Sequence, residues 1–457
     1  MKKSIDTENA ITHGVIWEQL LLFFFPLLFG MFFQQLYNTA DAIIVGRFVG
    51  KQALSAVGGS TGTLINFFVG FFTGVSSGAT VTIARYYGAE KPDSVKKALH
   101  TSIAIAVAGG LIFTVLGLWS APLIVRWMGA PEDTVEGSVL YLRIYFSGMT
   151  ANLVYNMGAG ILRAVGDSKR PLYFLIISCF SNIFLDLLFV VVFHMGVGGA
   201  ALATILCQLL SAVLVLAALA GSRDMYRLTF REIRMDGGMF GRIMAIGIPV
   251  GFESVMYSFS NIVIQSSINS FGTDTVAAWS AYGKIDGTFW IVMNSFGIAI
   301  TTFVGQNSGA GLMKRVKDSI VQCFIVATAF TAALSFLLYF FGPYLLHLFT
   351  TDTEVIAIGT QMMHFLVPVY FTFICIEILS GSLRGLGNSL VPAIITCAGV
   401  CGLRILWIFF AVPQNPTIEN VMTSYPLTWV VTSLIFVAYF FAYTKKKRYF
   451  RTAAADG

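Results

Sequence analysis

The chain has few charged residues, and this scarcity sets the first limit on its class. Only 11% of its 457 residues are charged, whereas 56% are hydrophobic, and its mean hydropathy is +0.77. A soluble globular domain carries about a quarter charged residues. A soluble protein is therefore excluded, and long apolar runs of about 20 residues predict an all-α polytopic membrane protein.

Cysteine and histidine are also sparse. The six cysteines have no CxxC spacing and lie in or beside apolar runs, so neither disulfides nor a zinc site is expected. The five histidines are scattered, and no HExxH pattern or His/Asp pair gives a catalytic group at one membrane depth. We therefore expect no enzyme, no metal centre and no organic cofactor. The net charge of +6 does not indicate nucleic acid, because the basic residues follow membrane topology.

Apolar windows separated by charged or Gly/Pro breaks predict twelve helices. The expected spans are 16–45, 54–82, 95–119, 136–162, 171–193, 198–220, 241–268, 275–304, 316–341, 356–381, 391–411 and 423–443. Most Lys and Arg residues fall in the termini and in alternate loops. By the positive-inside rule both termini are cytoplasmic, in the inner cell membrane.

The second half of the sequence repeats the first. Gly88, Leu162 and Gly166 recur 221 positions later as Gly309, Leu383 and Gly387. The repeat predicts two pseudo-symmetric six-helix bundles, an N-terminal lobe at 1–222 and a C-terminal lobe at 241–457, joined by a cytoplasmic linker at 223–240. Parallel repeats of this kind enclose a substrate cavity between lobes in transporters.

Polar residues follow the first apolar run, but the predicted helix continues through them. Gln34, Asn38 and Asp41 have helical i, i+4, i+7 spacing and share one face, above a bend expected at Pro26. An acid inside a membrane helix should face protein or water, and it marks a functional site by default. We therefore predict Asp41 as a coupling residue, with Gln34, Asn38 and the neighbouring Tyr37 at the substrate cavity.

A second polar group lies in predicted helices 5 and 6. Asn182 and Asp186 are spaced i, i+4, and Thr204 ends the small-residue stretch GVGGAALAT, 196–204. With Asp41 these oxygens suit a proton or a hard cation such as Na⁺. Two carboxyl groups held close with little water cannot both ionise easily, so one is expected to carry a proton at working pH.

The second half has other intramembrane charges. Glu253 and Glu377 form an alternative acidic site, and a structural ion pair of either with Lys284 is equally compatible with the sequence. Arg404 is expected to snorkel or to pair rather than to bind a ligand. Tyr257, and Asn261 as the counterpart of Asn38, are expected at the substrate cavity.

These motifs resemble the multidrug and toxin extrusion (MATE) family of secondary antiporters, and its prokaryotic DinF-like branch in particular. The resemblance rests on Pro26 with Asp41, NIFLD at 182–186, GVGGAALAT at 196–204, GQNSGAG at 305–311 and LRGLGNS at 383–389. It implies the MATE fold, and an H⁺ or Na⁺ site at Asp41, Asn182, Asp186 and Thr204. The NorM-like branch has a glutamate where Tyr257 stands here, which favours coupling through the first lobe.

The sequence thus predicts a monomeric multidrug efflux antiporter that exchanges organic cations or other drug-like solutes for H⁺ or Na⁺ by alternating access. Its partners would be these solutes and the lipid bilayer, not nucleic acid. The alternative is a flippase of lipid-linked oligosaccharide or another lipid from the same superfamily. Such a flippase would need a large basic cavity, and only three bases, Arg143, Lys284 and Arg404, are predicted to lie within the membrane.

Overall fold

The computed structural model describes residues 11–58, 60–127 and 132–447. Within these ranges the regular structure is entirely helical. The helices of the first half are α1 (Ile16–Phe48), α2 (Lys51–Gly58), α3 (Ser60–Gly88), α4 (Pro92–Trp127), α5 (Glu132–Ser147), α6 (Met149–Ala164), α7 (Lys169–Asp186) and α8 (Gly196–Ala220). Those of the second half are α9 (Gly237–Asn269), α10 (Thr273–Gly309), α11 (Met313–Leu346), α12 (Thr353–Leu366), α13 (Phe371–Gly385), α14 (Leu390–Thr396), α15 (Leu403–Phe410) and α16 (Ile418–Lys447).

Each predicted span corresponds to one of these helices or to two consecutive ones. Among the described residues, 10 helices are long and apolar enough to cross a membrane, or 11 if the bent pair Thr353–Val369 and Phe371–Gly385 is one span. That pair bends by 51° around Pro368, which lacks the N–H that a continuous helix needs. The predicted span 136–162 is divided at Gly148 into α5 and α6, each of 16 residues. The all-α polytopic fold is thus confirmed.

The sequence repeat is visible in the backbone. Gly166 and Gly387, 221 positions apart, have φ angles of 95° and 86° and lie two residues after the ends of α6 and α13. Glu90 and Gly311, also 221 apart, have φ angles of 51° and 77°. Left-handed residues at helix ends satisfy the last carbonyls, so the two halves turn their loops in the same way.

Contacts within the chain divide it into two compact units. The first unit is Phe25–Gly251, and the second unit consists of the residues before and after that range. In the first unit the start of α9 packs on α3. A Cβ atom at Gly78 would collide with the backbone of Ile243 and Gly247, so glycine permits this close approach of the two helices. The predicted lobes are defined by the sequence repeat, whereas these two units are defined by contacts between residues, so their boundaries differ.

The second unit contains the first nine residues of α1. The Phe24 ring stacks on Phe296 with centroids 4.1 Å apart, and Phe23 meets Phe303 edge-on at 6.0 Å. The turn before α1 is fastened by Arg315, which donates hydrogen bonds to the backbone carbonyls of Ile11, His13 and Gly14. The start of α1 is therefore anchored on α10 and α11.

The predicted linker at 223–240 docks onto the start of α4. The Lys96 ammonium lies 2.6 Å from Glu232 and, through this hydrogen bond, holds the pKa of that carboxyl below its ordinary value. Thr101 Oγ1 accepts a hydrogen bond from the Asp236 backbone N–H at 3.2 Å. The linker is thus ordered by contacts within the first unit and leads directly into α9.

Candidate functional site

Asp41 lies in the last third of the unbroken helix α1, after its internal Pro26. Its side chain is 8% exposed, and its Oδ1 atom has no hydrogen-bond partner among the described residues. A buried carboxylate oxygen left without a partner is costly. The position therefore favours a group that binds a proton or a cation.

Asn182 and Asp186 lie in the last turns of α7, on one face as predicted. Both are buried, at 1% and 0% exposure. The side-chain oxygens of both residues have no hydrogen-bond partner in the part of the chain that the structure describes. Directly after Asp186 the helix widens into a π-turn, Leu187–Val192, a feature that is frequent at functional sites.

The structure brings the two predicted acids of the first half together. Asp186 interacts electrostatically with Asp41, and the Tyr141 hydroxyl with both. Cys207 on α8 also interacts with Asp186. The site is thus assembled from α1, α5, α7 and α8, all within the first unit.

Thr204 lies on α8, three residues before Cys207. It is buried, and its hydroxyl donates to the Ala200 carbonyl at 3.0 Å. Ala200 packs in one cluster with Ile44 and Val45, which follow Asp41 on α1. The Thr204 oxygen keeps a lone pair for a further donor or a cation.

The donor set of this acidic site suits a small hard cation or a proton. Asp41, Asp186 and Asn182 supply carboxylate and amide oxygens that lack hydrogen-bond partners within the described ranges, and hard cations prefer such ligands. Among the described residues no group of three His, Cys, Asp or Glu side chains could hold a metal ion. Na⁺ binding at these four residues therefore stays a prediction alongside proton binding.

The predicted substrate residues of α1 precede Asp41. Gln34 and Asn38 are exposed and Tyr37 is partly buried. Tyr37 interacts electrostatically with Asp41, and with Tyr145 on α5. The structure thus connects this face of α1 to the acidic site, and substrate contact by these residues stays a prediction.

The acids of the second half have a different partner from the one expected. Glu377 lies 3.9 Å from Arg384, and Glu253 also interacts electrostatically with both Arg384 and Glu377. Lys284 is exposed and forms no ion pair among the described residues. The proposed Lys284 pair is therefore replaced by a Glu253–Glu377–Arg384 group, because α13 places Arg384 two turns after Glu377.

A cavity that sequence reasoning did not identify lies in the second unit. It has a volume of about 360 Å³ and is bounded by α9, α10, α15 and α16. Tyr257 and Asn261, both predicted as substrate residues, lie in its wall with Asp286 and Arg404. Its signal in the sequence is a stripe on α10 at i, i+3, i+7 and i+11, formed by Trp279, Tyr282, Asp286 and Trp290.

Asp286 is held by three donors. Its Oδ2 accepts from Trp290 Nε1 at 2.7 Å, and its Oδ1 accepts from the Tyr282 hydroxyl at 3.0 Å and from the Tyr370 hydroxyl. The Asp286 carboxyl thus fixes the orientation of Tyr282 and Trp290, two aromatic side chains in the wall of the cavity.

Replacing Asp286 by alanine should destabilise the protein by about 2 kcal/mol, because it leaves buried donors without their acceptor. The midpoint of thermal unfolding in detergent measures this loss. Asp274→Ala, at an exposed position on the same helix, is the matched control and should change the midpoint little. Equal midpoints for the two variants would contradict a structural role for Asp286.

Comparison with known proteins decides the family. The MatE sequence profile matches residues 26–188 and 249–410, one segment in each half of the repeat. The chain belongs to the MatE family. MatE proteins are multidrug efflux transporters and not enzymes, so the family resemblance inferred from the motifs is confirmed, as is the expected class of drug-like substrates in a membrane. The DinF-like branch stays a prediction.

Curated relatives extend over most of the chain. The probable multidrug resistance protein YoeA of Bacillus subtilis is 27% identical over 95% of both chains. The probable multidrug resistance protein NorM of Thermotoga maritima is 27% identical over 81% of this chain and 80% of its own.

Solved structures show the same fold. A MOP superfamily transporter from Pyrococcus furiosus superposes with a TM-score of 0.90 at 21% identity, covering 96% of this chain and 98% of its own. A crystal structure described as MATE in the bent conformation gives 0.89 at 21% identity, over 97% and 98%. The MatE fold of this chain therefore spans nearly its whole length.

Proposed function

We propose that this MatE protein is a drug/proton antiporter of the inner cell membrane, with both termini in the cytoplasm. The observation that carries the proposal is the pair of buried acids, Asp41 and Asp186, which interact with each other and keep carboxylate oxygens without hydrogen-bond partners in the described part of the chain. Such a pair binds one proton readily, because two charges in a dry site repel. It can release that proton when water reaches the site.

Coupling requires that proton and drug favour different states of the protein. In the outward-facing state, proton binding at the acidic site would change the hydration and bend of α1 and release the drug. Deprotonation towards the cytoplasm would reset the transporter. A tenfold preference of either ligand for one state corresponds to about 1.4 kcal/mol, which one buried carboxyl can supply.

The test uses proteoliposomes with the purified protein and an organic cation such as ethidium. Dye movement is recorded under an imposed pH gradient and, separately, under a Na⁺ gradient. We expect exchange under the pH gradient alone. Exchange driven only by Na⁺ would reject proton coupling and assign Na⁺ to the same oxygens.

The flippase alternative makes a different prediction in the same vesicles. A flippase would move a fluorescent lipid-linked oligosaccharide between leaflets without moving ethidium under either gradient. The homologues named as multidrug resistance proteins support the antiporter. We therefore expect no gradient-dependent movement of the lipid.

A further inference from the structure

We propose that the linker between α8 and α9 docks on the bilayer surface and binds the headgroups of anionic lipids. The docking face, which we call the linker surface, combines basic and apolar side chains of the linker and of the first turn of α9: Arg227, Phe230, Arg231, Arg234, Met235 and Phe240. All six are exposed. The inference goes beyond the proposed function, since it requires neither a drug nor an ion gradient.

The linker is held at the level of the membrane boundary. Helix α8 has 25 residues and is about 38 Å long at 1.5 Å per residue, whereas a bilayer with its headgroups is about 40–45 Å thick. A span of this length ends among the headgroups. The Leu228 backbone N–H donates to the carbonyl of Leu219, in the last turn of α8, at 3.0 Å. The neighbouring Arg227 therefore lies at the depth of the headgroups.

The opposite side of the linker packs on the first unit. Tyr226 and Leu228 are buried in the core cluster of that unit, and Ile233 packs against the same cluster. The His100 ring on α4 accepts a hydrogen bond from the Thr229 backbone N–H at 3.1 Å. These inward contacts fix which face of the linker is directed away from the core.

Three large apolar side chains lie on that outer face. Phe230 is 59% exposed, Met235 50% and Phe240 37%. Segments that carry Phe beside Lys or Arg lie in the membrane interface, where lipid removes their apolar surface from water. The positive-inside rule accounts for basic residues in this linker, but not for apolar side chains exposed between them. The apolar side chains therefore favour insertion of the linker surface into the bilayer boundary.

The arginines of the linker surface have no acceptor in the described part of the chain. The side chains of Arg227, Arg231 and Arg234 form no hydrogen bond and no ion pair there. Arg234 has only an electrostatic interaction with Glu232. A guanidinium group matches the geometry of phosphate oxygens, so lipid phosphates are suitable acceptors for these donors.

The acids of the linker are already used by contacts within the first unit. Asp224 accepts a hydrogen bond from the Tyr87 hydroxyl at 2.9 Å, and Glu232 pairs with Lys96. Asp236 accepts a backbone N–H in the first turn of α9 at 2.9 Å. The linker surface is therefore positive, which complements a leaflet of anionic headgroups. Such a leaflet supplies both the anion and an apolar environment, whereas a soluble polyanion supplies only the anion.

The experiment measures which lipid contacts the linker surface. Met235→Cys is labelled with a nitrobenzoxadiazole fluorophore, and the protein is placed in phosphatidylcholine nanodiscs. These contain either phosphatidylglycerol or phosphatidylcholine with a nitroxide on its acyl chain, and the labelled protein without Met235→Cys gives the background from native cysteines. We expect the phosphatidylglycerol nitroxide to quench with an apparent affinity at least about fivefold higher, the contribution of one basic residue near an anionic surface. Equal quenching by both lipids would overturn the proposal, and quenching by neither would reject it in favour of a soluble polyanion.

Variants then assign the preference to the arginines. Arg227→Gln/Arg231→Gln/Arg234→Gln should abolish the preference for phosphatidylglycerol, whereas lysine at all three positions should keep it, because the headgroups respond to charge. The matched control removes three charges from exposed positions on α16, in the second unit: Lys445→Gln, Lys446→Gln and Lys447→Gln. The control should keep the preference. A preference that survives the glutamine variant, or that the control loses equally, would reject the linker surface as the lipid site.

Salt provides a test that needs no arginine variant, in case the glutamine variant does not fold. In about 1 M NaCl, where the Debye length is about 3 Å, the preference for phosphatidylglycerol should disappear. Quenching by the phosphatidylcholine nitroxide should remain, and Phe230→Ser should weaken it, because the apolar side chains hold the linker in the boundary. A preference unchanged by salt would reject electrostatic binding. These measurements involve no drug exchange, so their failure leaves the antiporter proposal unaffected.

Discussion

Asp41→Asn should reduce gradient-driven drug exchange to the level of protein-free vesicles. Asparagine has the shape of aspartate but cannot gain or lose a proton at physiological pH, so the acidic site loses one of its two titratable groups. Asp186 would remain as a single acid without the partner that interacts with it. Exchange is measured in proteoliposomes under an imposed pH gradient.

The same variant should fold at least as well as the wild-type protein. Asp41 Oδ1 has no hydrogen-bond partner among the described residues, so a neutral amide at this buried position removes a desolvation cost. The midpoint of thermal unfolding in detergent should therefore stay equal or rise. Asp274→Asn, an exposed aspartate at the start of α10, is the matched control and should transport normally. Wild-type exchange by Asp41→Asn would remove Asp41 from the coupling site.

Arg384→Met should destabilise the protein by about 3 kcal/mol, at the lower end of the values for breaking a buried ion pair, because the Arg384–Glu377 pair is 15–16% exposed. Arg384 is the cation that faces both Glu253 and Glu377, and its removal leaves the buried Glu253 and the partly buried Glu377 facing each other. The midpoint of thermal unfolding in detergent should fall clearly. Adding Glu377→Gln to Arg384→Met should restore part of the loss, because the second change removes one of the unpaired charges.

The repeat supplies the control for this prediction. Arg163 occupies the equivalent position in the first half, where Asn156 stands in place of Glu377. Arg163 forms no ion pair among the described residues, so Arg163→Met should cost less than about 1 kcal/mol. Equal losses for the two methionine variants would show that the arginines act through packing rather than charge.

Much of the fold could be predicted from local sequence. Apolar length and the 221-residue repeat predict the spans, and the repeat also predicts that Gly166 and Gly387 turn alike. The break at Gly148 was missed, because glycine is tolerated within transmembrane helices and no charge marks it. The bend at Pro368 lies in a similarly apolar run, and hydropathy does not report a change in the direction of the helix axis.

The two sites differ in how far sequence could predict them. The acidic site was predicted because intramembrane aspartates are rare and Asn182 and Asp186 share one helix face. The cavity was missed because Asp286 and Arg404 come from helices far apart in the chain, and because Arg404 was expected to snorkel. The structure buries Arg404 under Tyr425 instead, a tertiary contact that periodicity does not encode.

The anchoring of the start of α1 also has a consequence for biosynthesis. Phe24 is translated 272 residues before Phe296, the ring on which it stacks. At about 5–20 residues per second, the ribosome needs on the order of tens of seconds to cover this distance. During this time the start of α1 lacks its packing partner on α10, whereas the start of α9 is made after α3, the helix on which it packs. A nascent chain arrested before α10 should consequently expose Phe23 and Phe24 to chaperones and to lipid.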